Sequence, residues 1–334
     1  MRALILVTTL AVLSPSHASA AAPNDRVSYE AHDLGSVDDQ GLTVGQAIND
    51  HGEVVGMGRT AAGEAVPIYW SADTGFIKIV DLPGTAIDIN DKGQVVGYFF
   101  RDFALVGFLW TREGGVKELG TLQPTAINNH GVIVGQCESE GPDPCVVSRG
   151  GVRRLHVTPG GSGFVTDINE AGDIVGTVSQ GSQSNGAVWR RSQSDYTLLQ
   201  PVSSPTGFTS VIPRHINDWG VIIGSVETGE FKPRYTTIWT RTGRPHILRA
   251  LISQGVDINN SGVAVLIGEA PAQALAWNIV RGTFSRLPSL GGIDQPVPNG
   301  VNNRGQIVGS SATEDGQLHA VIWSPRRVPT PRKP

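Results

Sequence analysis

The stretch DINDKGQVVGYF, residues 88–99, returns in altered form six more times along this chain. Its core is Ile-Asn-x-x-Gly-x-Ile/Val-x-Gly. Copies begin at Ile48, Ile89, Ile127, Ile168, Ile216, Ile258 and Val301, which places asparagines at 49, 90, 128, 169, 217, 259 and 302. The steps between them run from 38 to 48 residues. In the sixth copy, INNSGVAVLIG, the last glycine reads as displaced by two extra residues.

The chemistry of the core is that of a tight turn. Asn suits the first position of a type I turn, where its side chain bonds backbone two residues on, and Gly suits the fourth, where φ turns positive. A type I turn closed by such a glycine is a three-residue hairpin loop with a bulge. Each copy therefore reads as two strands, one ending at Ile-Asn and one starting after Gly.

Two more strands follow in each unit. The third is short and apolar and ends in Trp at 70, 110, 189, 239, 277 and 323, with Ser148 in the one exceptional unit. A ring at one fixed place per unit fills the gap between neighbouring units. The fourth strand ends in Leu82, Leu119, Leu155, Leu199, Leu248 and Leu287, six ends for seven cores. The seventh lies at the front of the chain, where YEAHDLG ends at Leu34-Gly35 and resembles VKELG at 116–120.

Four strands per unit at a period near 42 residues are the mark of a β-propeller. The expectation is all-β: a seven-bladed propeller over 27–325, four strands per blade, the last blade closed by the N-terminal strand. An open solenoid, the rival, has no use for a strand moved to the front. Composition agrees, with 42 Gly and 21 Pro in 334 residues and 39% hydrophobic side chains.

Both ends read as separate objects. Residues 1–20, MRALILVTTLAVLSPSHASA, have Arg2, an apolar run and an Ala-Ser-Ala close, the form of a secretory signal cut near Ala20. Residues 326–334 read as a disordered, basic, Pro-rich tail. No later run is long and apolar enough to span a bilayer. A secreted or periplasmic protein is expected. In such a compartment Cys137 and Cys145, which bracket ESEGPDP, are expected to form a disulfide pinning a hairpin loop.

The cores AINDHGEVVG and AINNHGVIVG, the run GFLWTREGGVKELGTL and the stretch HAVIWSP, with His319-Ala320, resemble the HAF repeat family of bacterial extracellular proteins. The resemblance spans roughly 34 to 324. It implies export and a repeated β architecture. It brings no catalytic residue set.

Function is better sought where the copies differ. The position before Ile-Asn holds Ala47, Asp88, Ala126, Asp167, His215, Asp257 and Gly300. The position before the turn glycine holds His51, Lys92, His130, Ala171, Trp219, Ser261 and Arg304. Asp88, Asp167, His215 and Asp257 are candidate ligand-binding residues if they face an axial channel; alternatively each Asp caps its own turn. Trp219 is a candidate sugar-binding contact, or a residue packed on a neighbouring loop. The DINDKG resemblance to a calcium loop fails at Lys92, so no metal is expected. No cofactor is expected either.

The net charge of −4 and the absence of a basic stripe argue against nucleic acid. Two functions remain, beside a structural spacer with no ligand. One is an exported, monomeric binding module for an extracellular protein or glycan. The other is a hydrolase or lyase acting on extracellular carbohydrate, with a carboxylate pair in the central funnel.

Overall fold

The repeated turns close as their chemistry requires. Asn49 Oδ1 accepts from the amides of His51 and Glu53 at 3.1 and 3.0 Å. The Gly52 amide donates to the Asn49 carbonyl at 3.0 Å, and the Asn49 amide donates to the Glu53 carbonyl at 3.1 Å. Gly52 sits at φ +83°, and the six equivalent glycines have φ between +67° and +82°. A side chain there would meet its own carbonyl, so glycine is the residue the turn needs.

The computed structural model describes residues 27–39, 42–138, 142–180, 183–191, 193, 195–200, 208–228, 234–249, 251–269 and 272–327. The expected signal segment and residues 328–334 of the expected tail lie outside them. Among the described residues the chain is 28 strands and one short 3-10 turn, Val37–Asp39. Among the described residues no helix is long and apolar enough to cross a membrane.

In the first unit, Thr43–Ile48, Val54–Arg59, Ala65–Ser71 and Gly75–Lys78 pair antiparallel in chain order. Four other sheets also have four strands. The remaining sheet has eight, because two such meanders are joined by a single parallel pairing of Ser184 with Ser210. The innermost strand of the second meander, Phe208–Ile216, is nine residues long, and its extra length lets Ser210 pair with the preceding meander.

The front strand closes the last sheet. Val27–Gly35 runs antiparallel to Leu318–Arg327, with Ala31 opposite Trp323 and Asp33 opposite Val321. The pairing reaches Val27 opposite Arg327, so the strand enters the segment expected as tail by two residues. Arg326 also pairs with Glu30 across the seam.

The Trp and Leu positions meet between units. Leu34 shares an apolar cluster with Trp70, Leu82 with Trp110, and Leu155 with Trp189. Leu199 lies with Trp239, Leu248 with Trp277 and Leu287 with Trp323. In three cases the indole N–H also donates across the gap: Trp189 to the His156 carbonyl at 2.9 Å, Trp239 to Gln200 at 3.2 Å and Trp323 to Pro288 at 2.8 Å. Each acceptor directly follows the Leu of the preceding unit. Tryptophan here serves packing and a buried indole bond together.

Two features shape the inner strands. Every one carries a bulge one residue before the variable position, for example between Gly45 and Ala47 and between Pro213 and His215. A bulge re-aims side chains, and in six of the units both the bulged and the following residue line the interior, while Val256 of the sixth packs into a core cluster. It also brings the inner strand over the second strand's motif glycine. A Cβ on Gly56 would lie 1.9 Å from the Val44 carbonyl oxygen. The sixth unit corrects the sequence reading: it has no insertion. Leu266 occupies the glycine place, opposite Gly255, and is fully buried.

Cys137 and Cys145 are disulfide-bonded, their Cα atoms 5.9 Å apart, across the second and third strands of their unit.

Candidate functional site

Three tiers of side chains line the axis where the inner strands end. The first is a belt of seven buried asparagines. Each Nδ2 donates to the carbonyl of the next unit's asparagine: Asn49 to Asn90, and so on through Asn128, Asn169, Asn217, Asn259 and Asn302. Asn302 donates to Asn49 at 2.9 Å and closes the circle. The turn asparagine is thus also the link between units.

The next residue forms a second closed belt. The Asp50 amide donates to Asp91 Oδ1, and the succession passes through Asn129, Glu170, Asp218 and Asn260 to Asn303. The Asn303 amide returns to Asp50 Oδ1 at 2.7 Å. All seven copies carry an oxygen acceptor there, a regularity visible in the sequence but not used in reading it. Asn129, Asn260 and Asn303 also donate to the free oxygens of Asp91, Asp218 and Asp50. This belt leaves an acidic rim around the mouth.

The third tier is the variable position before Ile. Asp88 Oδ1 accepts its own Ile89 amide at 2.8 Å, and Oδ2 accepts the Ile127 amide of the next unit at 2.8 Å. Asp167 does the same for Ile168 and Ile216, and Asp257 for Ile258 and Val301. One bridging Asp serves two units, so the residue after each is free to be something else: Ala126, His215 and Gly300. Seven amides and three bridges leave one over. Among the described residues no side chain bonds the Ile48 amide, whose own unit has Ala47 and the preceding unit Gly300 at the bridging place.

The structure therefore brings four sequence candidates together, Asp88, Asp167, His215 and Asp257. The aspartates cap backbone as the alternative reading held, but across units as well as locally. His215 Nδ1 stands 3.5 Å from Asp167 and 3.5 Å from Asp257. Burial opposes charge on His215, but Asp257, Asp167 and Asp88 outweigh it and raise its pKa to about 9. Burial pushes Asp88 up to about 7 against its two amide bonds. Asp257 is raised for the same reason, partly offset by His215.

Trp219 stands apart. It is 67% exposed on the turn face, and its indole N–H bonds the Asn260 carbonyl of the neighbouring turn at 3.0 Å. It rests on a neighbour and still offers a ring to solvent.

The tiers enclose a cavity of about 420 Å³. Toward the strand starts it is lined by the bulged residues, among them Gln46, Ile87, Thr125, Thr166 and Arg214. Arg214 was not a sequence candidate, because nothing in its own copy marks the bulge that turns it inward. It makes one long bond, 3.4 Å to Gln254, and burial together with Arg234 holds its pKa down. Among the described residues no cluster of His, Cys, Asp and Glu is arranged to hold a metal ion.

No family model and no curated protein matches the chain. Solved structures do. The β-propeller domain of the Trilobed protease from Pyrococcus furiosus superimposes with TM-score 0.56 at 11% identity, covering 87% of this chain and 99% of that one. YCF48 bound to D1 peptide gives 0.52 at 12%, covering 92% and 99%. A prolyl endopeptidase structure gives 0.59 at 13%, covering 84% of this chain and 46% of that one. The chain spans about half the length of the prolyl endopeptidase and puromycin hydrolase chains it matches. These likenesses show a β-propeller fold.

Proposed function

We propose that the chain is an exported, seven-bladed propeller of the HAF repeat type that binds an extracellular protein or glycan and does no chemistry on it. The seven asparagine links and the seam at Val27–Gly35 support the blade count. The disulfide supports export.

One observation carries the choice of binding over catalysis. Asp88, Asp167 and Asp257 each already accept two backbone amides, so the funnel's carboxylates are committed to holding strands together. A glycosidase needs two carboxyl groups free to meet the scissile bond and a water or sugar carbon. The hydrolase or lyase reading keeps one point in its favour, the elevation of Asp88 to about 7, in the range of a general acid. Among neighbours, YCF48 was solved with a peptide bound, which fits a binding role.

Glycan and secreted-protein arrays probed with the purified chain test this, repeated with Trp219→Ala and Arg214→Gln. Binding that one variant abolishes supports the reading. Release of reducing sugar from an array polysaccharide, without stable binding, would replace it with the enzymatic one.

A further inference from the structure

Resting on that binding role, we infer that the axial cavity is a site for a short free peptide, its ammonium at the acidic rim and its carboxylate on Arg214. The cavity is polarised end to end. Asp50, Asp91 and Glu170 line the turn end, and Arg214 lines the other. Arg214 is the arginine that lines this cavity, and its one bond is the long one to Gln254, with no ion pair to any described residue. Its guanidinium is open to the cavity mouth, and a ligand carboxylate meets it in a two-pronged bond.

The middle of the cavity fits the same ligand. The Ile48 amide is the one inner-strand donor that the bridging aspartates do not serve, and buried amides are rarely left without an acceptor. A peptide carbonyl supplies one. Thr125 and Thr166 offer uncharged partners to the remaining peptide groups, and Ala47, Ala126 and Gly300 leave room on that side. From the rim residue Glu170 to Thr166, level with Arg214, is four residues that run from the turn into the bulged strand end, at most roughly 13 Å at the usual rise. An extended tripeptide separates its terminal charges by about 10 Å. A neutral sugar would leave both charged ends unanswered, and a simple cation would leave Arg214 and the Ile48 amide unanswered.

The test is calorimetric titration of the purified chain with Ala-Ala-Ala, with N-acetyl-Ala-Ala-Ala and with Ala-Ala-Ala-amide. The free tripeptide is expected to bind, and each cap to weaken it about tenfold or more, the loss of one charge-assisted contact. In Arg214→Gln the acid and the amide should bind within about twofold, while the penalty for acetylation persists. Ala47→Asp, which gives the Ile48 amide an acceptor and fills the cavity, should weaken the tripeptide about tenfold with an unchanged circular dichroism spectrum. Equal binding of all three peptides, or no heat up to about 10 mM, overturns the inference. If an array ligand still binds while the tripeptide does not, the binding role stands and only this site falls.

Discussion

Replacing Asn128 by alanine probes the link on which the ring depends. Its side chain accepts the His130 and Val132 amides at 3.1 Å each and donates to the Asn169 carbonyl at 3.1 Å. The residue is 4% exposed, so water does not readily replace these partners. At about 1 kcal/mol per bond the loss is about 3 kcal/mol, rising to about 5 if the orphaned groups stay dry. Asn128→Asp separates the two roles. It keeps both accepted amides, loses the donor to the next unit, and sets a carboxylate against a carbonyl. It should therefore cost at least as much as the one lost link, about 1–3 kcal/mol. The assay is urea unfolding followed by tryptophan fluorescence and circular dichroism, with coincident transitions as the condition for quoting a free energy. A cost below about 1 kcal/mol for Asn128→Ala, with unchanged slope, would refute the claim that this belt holds the units together.

Removing the disulfide by Cys137→Ser with Cys145→Ser should cost about 2–3 kcal/mol for so short a loop, measured by the same unfolding. His215 gives a pH signature: its folded pKa of about 9 exceeds the ordinary 6.5, so its contribution is full below pH 6.5 and is lost as pH rises through 9. That span corresponds to about 3 kcal/mol, and since 38% of the side chain faces channel water, about 1–2 kcal/mol should survive screening. In His215→Gln the fall in stability over that range should flatten. Asp88 has its folded pKa raised to about 7, so wild type loses stability as pH climbs from about 4 to 7. Asp88→Asn should be the weaker protein in acid, and the gap should narrow by pH 7 in thermal melts. Deleting residues 27–35 should bare the edge of Leu318–Arg327 and drive self-association, visible by light scattering.

The architecture was legible because its determinants are local. An Asn–Gly turn closes within five residues, and a strand ends where its Trp or Leu does, so counting turns counts hairpins. The displaced strand at Leu34-Gly35 showed itself by being one end too few elsewhere. What stayed hidden acts between units. The Asn49 side chain's amide donates to Asn90, 41 residues away, and nothing in either copy announces it. The oxygen-bearing residue after each asparagine looked like ordinary turn polarity. The alternation of Asp88, Asp167 and Asp257 with Ala126, His215 and Gly300 was visible, but that one carboxylate serves two neighbouring strands was not. Leu266 misled because a glycine two residues on, Gly268, completes the pattern by eye. Arg214 had no signal at all, since the bulge that directs it is a property of the paired strands.

The bond from Asn302 to Asn49 is chemically the same as its six counterparts, and Val27 lies opposite Arg327. To the folded molecule, then, the place where synthesis begins is arbitrary. A gene rearranged so that translation starts in the hairpin at 60–64, with the present ends joined by a short spacer, would meet the same neighbours in the same order. Its product would merely move the stitch from one sector to another.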